Sequence, residues 1–95
     1  PSGIGAAAQS PEQAAQCLYQ AWAAGDRAAA AVFASLDVVD ALFKAPWTPP
    51  AGTFAGCSAD TGGGYQCSFD HHGARYRFEV RRSEGGLRVT QVQHP

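Results

Sequence analysis

Cys57 and Cys67 stand on either side of Asp60-Thr61-Gly62-Gly63-Gly64, and this arrangement constrains the fold more than any other feature of the chain. Three consecutive glycines after an Asp-Thr pair make a turn, because glycine supplies the positive φ that tight turns need. If the flanking runs pair as an antiparallel hairpin with Cys57 opposite Cys67, then Ala59 falls opposite Tyr65 and Ala55 opposite Phe69. One register thus gathers the apolar residues on a single face. Directly opposed residues at a non-hydrogen-bonded position have Cα atoms about 4.5–5.5 Å apart, within reach of a disulfide. The spacing predicts a Cys57–Cys67 bridge worth roughly 2–3 kcal/mol and, with it, an oxidising compartment. Zinc is the competing use of cysteine, but the chain has no Cys-x-x-Cys pair. No metal and no cofactor are expected.

Downstream of that turn the apolar period is two. Tyr65, Cys67 and Phe69 alternate with Gln66 and Ser68; Ala74, Tyr76, Phe78 and Val80 alternate with Arg75, Arg77, Glu79 and Arg81; Leu87 and Val89 alternate with Arg88 and Thr90. With residues 53–59 these make four strands, joined by turns at 60–64, 70–73 and about 82–86. Upstream the pattern is helical. Ser10-Pro11-Glu12-Gln13 is a capped start, Ala14, Cys17, Leu18, Ala21 and Trp22 form one stripe, and Gly25 ends the helix. Cys17 falls on this stripe and reads as a buried small hydrophobe. Asp26 caps a second helix with Ala28, Ala31 and Val32 on its apolar side. Ser35 or Asp37 starts a third with Leu36, Val39, Leu42 and Phe43 on one face. The three prolines of residues 44–52 exclude helix and central strand, so that segment connects the two halves. The expected class is α+β: two to three N-terminal helices on one face of a four-stranded antiparallel meander. Residues 1–9 are small and read as a flexible segment ahead of one domain spanning 10–95.

At 95 residues the chain holds one core. Charge is near balance, which argues against a dedicated nucleic-acid binder, and no apolar run of about 18 residues exists to span a membrane as a helix. The charge is uneven: Glu12, Asp26, Asp37, Asp40 and Asp60 face only Arg27 and Lys44 in residues 1–60, whereas five arginines outweigh Asp70, Glu79 and Glu84 beyond them. Abundant alanine and glycine, arginine in preference to lysine, and absent asparagine fit a high-GC, actinobacterial coding sequence. An export signal is expected to have been removed or to lie outside this stretch.

The run from Ala14 to Phe43, with Trp22, Gly25 and Asp26 in a W-x-x-G-D turn, resembles the opening of NTF2-like domains of the SnoaL and ketosteroid-isomerase type. The resemblance implies a curved sheet wrapped around the leading helix. Enzymes of that superfamily set acids, a tyrosine or a histidine inside a cone-shaped pocket. Here Asp70 is expected in a turn and Glu79 among arginines on the polar face, so no catalytic residue is carried over. Pro46-Trp47 is similar to the PW hairpin of the cystatin protease inhibitors, although it precedes the sheet and no Q-x-V-x-G segment is present.

Four surfaces are candidates for function. Arg75, Arg77, Arg81 and Arg88, with Phe54 and Thr90 nearby, are expected on the polar sheet face, where guanidinium forks suit carboxylates and phosphates; the alternative is a solvated face. Trp47, framed by prolines with Pro46, is either a presented aromatic anchor for a partner or a lid over the core. Leu18, Trp22, Tyr65, Tyr76 and Phe78 would line a pocket between the first helix and the sheet. Asp70, His71 and His72 are expected at an exposed hairpin tip, with His94 near the end. The leading expectation is a non-catalytic, extracytoplasmic interaction or ligand-binding domain whose partner is another protein or an envelope component. Alternatives are a small NTF2-like pocket protein or enzyme acting on a hydrophobic molecule, and a secreted protease inhibitor.

Overall fold

The computed structural model describes residues 10–45, 47–49, 52–60, 62–83 and 86–93. The segment 1–9, Pro46 and His94 lie outside them. Three helices, α1 (Pro11–Ala24), α2 (Arg27–Phe33) and α3 (Leu36–Lys44), precede four strands, β1 (Thr53–Ala59), β2 (Tyr65–His71), β3 (Ala74–Ser83) and β4 (Gly86–Gln93). The strands form one antiparallel sheet in the order β1-β2-β3-β4, and the helices pack against one face of it, as the change of period from helical to two requires.

Local chemistry sets the helix ends. The Ser10 hydroxyl accepts the Gln13 N–H at 3.1 Å, Gly25 takes φ 71° to close α1, and the Asp26 carboxylate accepts the Ala29 N–H at 3.0 Å to start α2. The buried stripe of α1 is wider than its spacing implies: Ala15 and Tyr19 join Ala14, Leu18, Ala21 and Trp22, while Cys17 sits half-buried at the margin. The shorter helices are rotated from their expected orientation. Ala30 is the buried residue of α2 and Ala28 is exposed; α3 buries Val38, Val39 and Leu42 and leaves Leu36 70% exposed. The cause lies between them. The Ser35 N–H donates to the Val89 carbonyl at 3.0 Å and Ala34 makes a parallel bridge to Val89, which pins the α2–α3 junction to the edge of β4 and sets both helix rotations.

Cys57 pairs with Cys67 and Ala59 with Tyr65. The two cysteines, their Cα atoms 4.0 Å apart, form a disulfide. Nearer the start of β1 the register shifts, so that Phe54, and not Ala55, opposes Phe69. Ala55 is the extra residue of a β-bulge made possible by Gly56 at φ 107°. The bulge turns Phe54 onto the core side, where its ring lies 4.9 Å from that of Phe69, instead of leaving it on the polar face. A second bulge interrupts β4: Val80 pairs with Val89 but Glu79 with Gln91. Thr90 is the extra residue there, and Val92 packs against the core together with Val89. Both bulges sit in edge strands, where they curl the sheet around the helices and disfavour edge-to-edge pairing.

The turn expected at 70–73 is tighter than its polar composition implies. β2 continues to His71, and the reversal is made by His72 and Gly73 alone, at φ 53° and 78°, the left-handed pair of a type I′ hairpin. Asp70 and His71 are therefore strand residues on opposite faces of the sheet, and His71 is buried, not exposed. Phe78, Leu18, Leu42, Val39, Val80 and Val89 form the fully buried centre, each side chain contributing roughly 1.5–3 kcal/mol by leaving water.

Candidate functional site: the uncovered sheet face

Cross-strand register arranges the face turned away from the helices into rows. Ser58, Gln66, Glu79 and Gln91 form one; Gly56, Ser68, Arg77 and Gln93 form the next; Asp70 and Arg75 form a third. Alternation along each strand puts these polar residues opposite the buried set, so this face carries hydroxyl, amide and guanidinium groups where the other carries aromatic and aliphatic ones. An open groove of about 380 Å3 crosses β1, β2 and β3, lined by Gly56, Ser58, Gln66, Ser68, Arg75 and Arg77 among others.

The four arginines expected in a row have different situations. Arg75 grips Asp70 across the hairpin with two bonds, 2.9 and 3.1 Å, which holds the Asp70 carboxyl below the usual carboxylate range, chiefly through the hydrogen bond itself. Arg81 donates to the Gly62 carbonyl at 3.0 Å and to Glu79 at 3.2 Å. It also approaches Asp60, whose carboxylate caps the Gly62 and Gly64 N–H groups at 2.8 and 3.0 Å. Those two N–H bonds lower the Asp60 pKa, with Arg81 adding a smaller effect. Arg81 is thus committed to the glycine turn. Arg88 reaches round the β4 edge to the Ala31 and Ala34 carbonyls, at 2.8 and 2.7 Å, and closes the C-terminal end of α2. Arg77 remains: exposed, between Ser68 and Gln93, its guanidinium making no ion pair or hydrogen bond among the described residues. Only Arg75 and Arg77 line the groove, and only Arg77 presents a whole guanidinium fork to an incoming anion. The groove thus offers hydroxyl, amide and guanidinium groups, which can donate hydrogen bonds to an anion.

The other candidate residues gather at the opposite side of the sheet. Trp47 folds back over the end of β2, its indole N–H donating to the Tyr19 hydroxyl at 3.0 Å and its ring stacked on His71 at 5.8 Å; Pro46 beside it lies outside the described residues. Of the residues expected around a pocket, Leu18 and Phe78 are fully buried, the Trp22 and Tyr76 rings lie 5.4 Å apart, and Tyr65 is half-buried at the margin. None of the described cavities is lined by any of the five. Tyr19 and His71 were not expected there. His71 continues the inward alternation of Cys67 and Phe69, and the His-Gly dipeptide after Asp-His is a signal for a two-residue turn that would have left it in the strand. Burial first, then the neighbouring His72, pushes the His71 pKa below its ordinary value. Comparison with protein-family models, curated proteins and solved structures finds no match to this chain.

Proposed function

We propose that this chain is a non-catalytic interaction domain that works outside the cytosol and uses its uncovered sheet face to hold a carboxylate-bearing segment of a partner protein. The single observation behind this reading is Arg77, an unpaired guanidinium at the centre of a polar groove on the one face that the helices leave open. Arginine's planar fork matches a carboxylate with two parallel bonds. Ser68 and Gln93 beside it and Gln66 in the next row offer hydroxyl and amide partners to the backbone of a polar segment. The Cys57–Cys67 disulfide supports an oxidising location. The packing of Leu18, Trp22 and Phe78 into the core favours a surface over an internal pocket.

Titration of the protein with a fluorescent hexaglutamate peptide at low ionic strength tests the reading. Binding is expected to weaken as salt is added and to fall roughly tenfold or more in Arg77→Ser, as the loss of a charge-assisted pair predicts. The melting temperature should barely move, because Arg77 holds nothing in the fold. Equal affinity in wild type and Arg77→Ser, or no binding at all, would remove the proposal.

A further inference from the structure

The Tyr19 hydroxyl of α1 sits among three groups. The Gly52 N–H donates to it at 2.6 Å and the Trp47 indole N–H at 3.0 Å. Both partners can only donate, so together they occupy the oxygen's lone pairs. The hydroxyl proton is left for the third neighbour, His71 Nδ1, 3.1 Å away. Nδ1 is therefore the bare nitrogen: the ring is neutral and its proton is on Nε2, which is buried without a hydrogen-bond partner among the described residues. The ring packs against Tyr19 and Trp22 of α1, Trp47 of the α3–β1 connection, Tyr76 of β3 and His72 of its own hairpin. Two phenols and one imidazole are the titratable groups facing it. No carboxylate among the described residues bonds to it, since Asp70 projects from the other face and is held by Arg75. A cation at this position has no counter-ion among the described residues and a high desolvation cost.

We propose that His71 is an acid-operated latch: taking a proton at Nδ1 turns the acceptor that faces Tyr19 into a donor, and Trp47 is released from its place over the ring. A protonated Nδ1 points a third N–H at an oxygen already holding two, so one donor must leave. Gly52 is packed closely against β2, where a Cβ would sit 2.4 Å from the Asp70 carbonyl oxygen, and its N–H makes the shorter of the two bonds to the hydroxyl. Trp47 is half-buried with water on one side and is the partner free to move. The next residue is tied separately: His72 Nε2 lies 3.0 Å from both the hydroxyl and the carbonyl oxygen of Thr48. Release is thus confined to the indole. Burial keeps the latch shut at neutral pH and shifts its opening below about 6.5, the ordinary value for histidine.

The experiment is a pH titration of the whole chain by 15N NMR, following both histidine rings and both indole N–H signals. Trp22 is the internal control, its indole N–H donating to the Ala45 carbonyl at 2.8 Å. The expected result is an Nε2–H tautomer for His71 at about pH 7.5. In acid, solvent exchange of the Trp47 indole proton should then accelerate about tenfold or more in step with His71 protonation, while Trp22 stays protected. In His71→Asn, whose amide oxygen replaces the Nδ1 acceptor and does not titrate, the Trp47 transition should vanish. An Nδ1–H tautomer, a Trp47 signal indifferent to pH until the protein unfolds, or one that tracks His72 overturns the proposal, as does a transition surviving in His71→Asn. If that variant fails to fold, the wild-type titration decides alone.

Discussion

Breaking the Cys57–Cys67 bridge should cost this protein a large share of its stability. The bonded residues are ten apart in sequence, and a loop of that length closed in the unfolded chain corresponds to about 2.7 kcal/mol at room temperature. A domain of this size holds roughly 5–15 kcal/mol in all, so reduction removes a fifth to a half of it, or about 11–21 °C in melting temperature. The native hairpin should nevertheless survive, because the Asp60 carboxylate caps Gly62 and Gly64 and the Asp60 N–H bonds to the Gly64 carbonyl at 2.9 Å independently of the sulfurs. The assay is urea unfolding of the oxidised protein, the reduced protein and Cys57→Ala/Cys67→Ala, with thiols counted under denaturing conditions. Oxidised protein should show one thiol, from Cys17, and reduced protein three. The variant should fall slightly below the reduced protein because Cys67 is fully buried and its sulfur packs in the core. A difference under about 1 kcal/mol between oxidised and reduced protein, at equal denaturant dependence, would refute the assignment of stability to the cross-link.

Tyr19→Phe keeps the ring stacked on Phe69 at 4.6 Å but strips the Trp47 and Gly52 N–H groups and His71 of their shared partner; a loss of about 2–4 kcal/mol is expected in chemical denaturation, and a loss under about 1 would mean that water replaces the hydroxyl at no cost. Arg88→Met retains the stem and removes the bonds to the Ala31 and Ala34 carbonyls; a fall of about 1–2 kcal/mol with faster amide exchange in α2 should follow, and unchanged exchange would refute the capping role. Acid should weaken the fold in two ranges. His71 binds its proton less readily folded than unfolded, so its contribution is complete above about pH 6.5 and declines below it. Asp60 and Asp70, with lowered folded pKa values, contribute above about pH 4 and lose that contribution as pH falls through those values. Melting temperature against pH should therefore decline first in the histidine range, and that part should be absent in His71→Asn.

The fold was legible wherever one local rule acted alone. Alternation in Tyr65–Phe69 and Ala74–Val80, the Ser10 and Asp26 caps, and the cysteine spacing across the glycine turn all describe the chain as it folds. What escaped was decided at a distance. Phe54 faces the core because Gly56 opens a bulge, and an isolated glycine within an apparent strand marks such an irregularity without saying which neighbour turns inward. Ala28 and Leu36 face water because the Ala34–Ser35 junction docks on Val89, a contact that no helical period encodes. At the candidate site the polar face itself was readable. The separation of Arg77 from Arg81 and Arg88 was not, because it depends on carbonyls and carboxylates that reach those side chains from the glycine turn and from α2. Tyr19 stands outside the stripe that helical spacing picks out and His71 looks like a turn residue; only the return of the connection carrying Trp47 and Gly52 makes them one buried cluster.

The most direct test of the account is a map of amide shifts when the acidic peptide is added to isotopically labelled protein. The account predicts changes centred on Ser68, Arg77 and Gln93, spreading to Gln66, with α1, α2 and α3 silent. Changes concentrated on the helices, or on the hairpin around Trp47 and His72, would contradict it.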